Sequence, residues 1–164
     1  MAEVLASALR GIGEQVGASP LAQIAREPGM KAAYRLTIRY HDRRSSDSVA
    51  TLRWASEAVL SVVYRGLFGH KPVIFAIERE RYEAFAQEMT KLGFDRLGDQ
   101  PNIPPHGADL WLLERASGSF YKSVVIAPEL TGSVYARMVF EVHRILPEAI
   151  RAVSDPTPKR RGSF

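Results

Sequence analysis

Four residues in the second half of the chain carry side chains suited to polar chemistry: His106, Asp109, Glu114 and Lys122. Asp109 and Glu114 fall in one strand-like run, residues 109–115. Lys122 falls in the next, residues 120–127, with Glu129 just beyond. Metal-dependent hydrolases and nucleases hold magnesium with carboxylates on adjacent strands beside a lysine, because the ions must bridge a phosphate and activate water. The spacing argues against such a site. A carboxylate and a lysine two apart on one strand is the usual arrangement, whereas Lys122 has Phe120 and Val124 at that offset. The odd separation of Asp109 and Glu114 also sends them to opposite strand faces. Solvent-facing strand charge is the competing reading.

His106 stands in a loop, GDQPNIPPHGA at residues 98–108, of the kind that presents functional groups. As a general base it would work with Asp109, three residues on; a plain surface histidine is the alternative. His41, His70 and His143 have no close-spaced ligand partner, so neither a metal site nor a cofactor is expected. No serine sits in a Gly-x-Ser-x-Gly elbow. Gly11, Gly13 and Gly17 lack the preceding strand and the lysine of a phosphate loop, and read as glycines near a helix end.

Binding has more support than catalysis. Arg35, Arg39, Arg43 and Arg44, with His41, would form a basic stripe on an exposed strand face, able to meet nucleic-acid phosphate or an acidic protein. Solvated charge on a sheet edge explains the same residues. Lysine and arginine number 22 against 18 acidic residues, a formal charge of +4. Half of that excess lies in residues 154–164, with Lys159, Arg160 and Arg161, so the body is nearly balanced.

The chain has 164 residues and no cysteine, which excludes disulfides, thiolate metal centres and cysteine nucleophiles. The first residues lack a basic segment leading into an apolar run, and no stretch is apolar for the ~18 residues of a membrane span. The expectation is a cytoplasmic protein without a membrane partner.

The elements that must position these side chains follow from periodicity. Val4, Leu5, Ala8, Leu9, Ile12 and Val16 recur every three or four residues, which predicts a helix over 2–16 that the glycines shorten. Ser19 and Pro20 open a second short helix, ended by Pro28 and Gly29. Tyr34, Leu36, Ile38 and Tyr40 alternate with polar residues, predicting a half-buried strand. Val49, Leu52, Ala55, Val59, Val63 and Leu67 favour a helix next, with a hairpin over 49–54 as the alternative. Residues 72–78, PVIFAIE, read as a buried central strand, and Tyr82, Phe85, Met89 and Leu92 as a helix closed by Gly93. Phe94 to Leu97 suggests a short strand, and residues 109–115 and 120–127 a hairpin. A long terminal helix carries Val134, Met138, Val142 and Ile145, with Pro147 as a kink or as the start of a second piece.

The expected fold is a mixed α/β (α+β) domain over 1–153, with one mixed sheet of four to five strands, parallel crossovers and helical cover, followed by a mobile basic tail over 154–164. The expected function is a non-catalytic interaction or assembly module, self-associating as a homodimer through the terminal helix, the hairpin or both. Tyr135 and Phe140 make that helix apolar beyond one seam. A small metal-dependent hydrolase or nuclease built on 106–122 and a nucleic-acid-binding protein are the alternatives.

Overall fold

The β-branched and aromatic residues between Ala33 and Tyr64 set the architecture, because such side chains pack well on a pleated surface. A computed structural model describes residues 1–154. Three strands follow one another there: β1 (Ala33–Arg39), β2 (Ser48–Trp54) and β3 (Ala58–Tyr64). Three residues, 55–57, join β2 to β3, a length that permits only an antiparallel return. The expected helix over 49–67 is therefore a correction: the segment is two paired strands, from Ser48 opposite Tyr64 to Trp54 opposite Ala58. Its apolar residues suit either period, and Val59, Val62 and Val63 favour the extended one.

β4 (Val73–Ile77) pairs with β3, β5 (Leu110–Ser117) pairs with β1, and β6 (Phe120–Ile126) pairs with β5. All pairings are antiparallel, in the order β4-β3-β2-β1-β5-β6. The sheet thus has six strands instead of four to five, and neighbouring parallel crossovers are absent among the described residues. The helix after β4 does carry the chain to β5, but three strands lie between the two. β4 is an edge strand and not the buried central strand that its composition suggested. The tight β5–β6 turn takes Gly118 at φ 56, a left-handed backbone that glycine adopts without strain.

Helices cover both faces. α3 (Arg79–Lys91) and α4 (Ser133–Ile145) bury one face with Phe85, Met89, Met138 and Val142 against Leu36, Leu60 and Trp111. α1 (Ala2–Gln15) lays Leu5, Leu9 and Ile12 on Leu110, Leu112 and Val125 of the other face. The single turn α2 (Leu21–Ile24) packs on Ala33 and Ala116. Gly11 and Gly13 do not cut α1 short, and Gly93 ends α3 at φ 71 as expected. Phe94–Arg96 is a 3-10 turn instead of a strand. Pro147 begins a separate 3-10 turn, Pro147–Ile150, so the terminal helix is one 13-residue piece. The basic tail lies almost entirely outside the described residues. No helix among the described residues is long and apolar enough to cross a membrane.

Candidate functional site

Antiparallel pairing brings the end of β1 beside the start of β5, so the 40–47 turn meets the 98–109 loop. Asp109 organises the junction. Its carboxylate accepts from the His41 amide at 3.1 Å, lies 2.7 Å from His41 Nδ1 and accepts from Arg44 Nη2 at 2.5 Å. Burial alone pushes this carboxyl up, but the bonds from Arg44 and from His41 outweigh it and hold it at about 2. Asp47 secures the other end of the turn by accepting from the Tyr40 amide at 3.0 Å.

A cleft of about 770 Å³ opens beside this junction, lined by Arg39, His41, Arg43, Arg65 and His106 and floored by Val4 and Leu5 of α1. Adjacent arginines diverge here. Arg44 turns to Asp109 and Asp42, while Arg43, held at φ 54, turns to the cleft. His41, Asp42 and Asp109 lie close enough to share a cation, but Arg44 already bonds both carboxylates, and a metal ion there would meet like charge.

The residues singled out from sequence are therefore dispersed. His106 is on the cleft wall, and Asp109 pairs with His41 instead of His106. Glu114 is buried beneath α1, and Lys122 lies opposite Arg115 on the other face of the sheet. They do not meet in one pocket. The basic stripe is broken up as well, because Arg35 is buried and Arg44 is paired, leaving Arg39 and Arg43 at the cleft. Arg35 was expected on an exposed face; α1 and α2 cover that face of β1.

Arg35 and Glu114 are direct cross-strand neighbours of opposite charge, only 6% and 4% exposed. Even so, among the described residues no ion pair joins them. Arg35 Nε donates to Thr51 Oγ1 at 3.0 Å on one side, and Glu114 accepts from the Tyr121 hydroxyl at 2.6 Å on the other. Burial pushes the Glu114 carboxyl up, only partly offset by Tyr121 and Arg35, and lowers the Arg35 guanidinium. Burial and Glu114 together push the Tyr121 phenol up to about 12.

The two edges of the sheet differ. On β6 the Val125 amide donates to Asp99 Oδ1 at 2.7 Å and the Ala127 amide to Gln100 Oε1 at 2.9 Å, while Val125 O accepts from the Gln100 amide at 3.1 Å. Loop groups thus satisfy the Val125–Ala127 end of that edge. Among the described residues β4 has no hydrogen-bonded neighbour beyond β3, and Val73 and Ile74 are 37% and 57% exposed there, with Phe68 nearby at 55%.

No family model and no curated protein sequence matches the chain. Sequence reasoning passed over the β4 edge, although Pro72 carried a signal, since proline is confined to edge strands or to a strand's first residue. It also passed over Asp99, Gln100, Thr51 and Tyr121, whose roles exist only through neighbours in the folded sheet.

Proposed function

We propose that the protein is a non-catalytic assembly module, and that two copies join through β4 across a twofold axis into one continuous antiparallel sheet. The observation that carries this reading is the contrast between a β6 edge capped at its Val125–Ala127 end by Asp99 and Gln100 and a β4 edge left open along its length with apolar side chains. An open, apolar edge is a template for another strand, and proteins that do not use such an edge blunt it with charge, bulges or cover. β4 carries no charge between Val73 and Ile77.

A second copy suits the edge better than an unrelated strand. Antiparallel pairing about a twofold axis is self-complementary, the same strand serving on both sides of the joint. The surfaces favoured from sequence offer less. Tyr135 packs on the core with its hydroxyl bonded to the Gly98 and Asp99 carbonyls, which leaves Phe140 as the single large hydrophobic exposed on α4. The hairpin contributes only Phe120 and Tyr121 at its tip.

Light scattering at micromolar concentration tests the proposal. The expected mass is twice the 18.2 kDa of one chain, falling to one chain for Ile74→Lys, because a lysine on an edge strand disfavours addition of another strand. A wild-type protein that runs as a monomer refutes it.

A further inference from the structure

Two opposite charges placed directly across a buried antiparallel pair would ordinarily meet, since leaving either one uncompensated in the interior costs several kcal/mol. Arg35 and Glu114 instead lean apart, each toward a neutral hydroxyl; among the described residues the two terminal nitrogens of Arg35 have no protein acceptor yet are not sealed from solvent, and on the Thr51 side Arg35 also borders a second cavity of about 230 Å³. A cavity of about 260 Å³ lies over them, roofed by α1 and the chain from Ala18 to Ala22, with Leu21 and Pro20 as apolar walls. Arg10 and Glu14 of α1 also line it, so its charged groups are two cations and two carboxylates. A ligand of either net charge would leave one sign in excess.

We propose that this cavity binds a free α-amino acid of small or medium side chain, its carboxylate on Arg35, its ammonium on Glu114 and its side chain against Leu21 and Pro20. Such a zwitterion fills the gap that keeps the two buried charges from pairing and adds no net charge. A guanidinium fork presents parallel donors to a carboxylate, and a carboxylate accepts strongly from an ammonium. The 260 Å³ matches about nine waters at ~30 Å³ each, the scale of such a molecule. The site lies on the face covered by α1, away from β4, and does not depend on how copies assemble.

The test is titration of the full chain with L-alanine, L-valine and L-leucine, followed by calorimetry and by amide NMR shifts, with propionate and ethylamine as probes carrying one charge each. At least one amino acid is expected to bind, with shifts centred on Leu21, Arg35, Glu114 and Tyr121, and roughly tenfold or more tighter than either single-charge probe. Glu114→Gln keeps the shape and removes a buried charge, so it folds; it is expected to weaken amino-acid binding by roughly tenfold or more while leaving propionate unchanged. The assignment is overturned if none of the three amino acids moves those resonances, if propionate binds as tightly as they do, or if Glu114→Gln retains wild-type affinity.

Discussion

Asp109 and Glu114 belong to the same stretch of chain, yet they respond to burial in opposite ways. Asp109 gathers donors from a turn 68 and 65 residues earlier and is held ionised, whereas Glu114 has one neutral donor and is pushed toward protonation. A carboxylate with a depressed folded-state value stabilises the fold above its ordinary value near 3.8, and that contribution is lost as pH falls toward about 2. We therefore expect urea denaturation to lose about 2 kcal/mol over this acid interval through Asp109. Asp109→Asn should start less stable at neutral pH and lack that part of the acid limb; an unchanged acid limb contradicts the assignment. Both carboxylates stood out in the sequence because their residue types and strand positions are legible there. The pairing did not, because His41 and Arg44, read from the sequence as part of a basic stripe, and Tyr121 reach them only through strand register.

Elements whose pattern admits one period were readable. The alternation of β1, the stripe of α1, the closure of α3 by Gly93 and the glycine-containing hairpin of β5 and β6 all match the local signals. Residues 49–67 were not, since an apolar residue every three or four positions over a short run also fits two strands packed on both faces. The rank of β4 within the sheet was hidden for a different reason: a run of Val, Ile and Phe suits a central strand and an edge awaiting a neighbour equally well. The same distinction governs β6, whose edge is capped at its Val125–Ala127 end by two side chains from a loop. Replacing both, as Asp99→Ala with Gln100→Ala, removes three side-chain hydrogen bonds worth ~1 kcal/mol each, those to the Val125 and Ala127 amides and to the Leu130 carbonyl, and opens that end of a second edge. With β4 still free, the double variant is expected to grow beyond dimers in light scattering, because two unlike edges allow non-closing association. A double variant that remains dimeric would show that Asp99 and Gln100 do not guard the edge.

At the scale of the molecule, part of the charge is paired between elements. Arg44, Arg65, Arg81, Arg115 and Arg144 each pair with a carboxylate. A loop caps the Val125–Ala127 end of the β6 edge, whereas the open side of β4 can extend its main-chain hydrogen bonding along the whole strand. Amide hydrogen exchange, residue by residue, reads that side most directly. The outward amides of Val73–Ile77 are expected to exchange slowly at high protein concentration, and to quicken on dilution or in Ile74→Lys, while the Val125 and Ala127 amides of β6 stay protected throughout. Equal exchange of the β4 amides in the wild type and in Ile74→Lys, at every concentration, would contradict pairing through this edge.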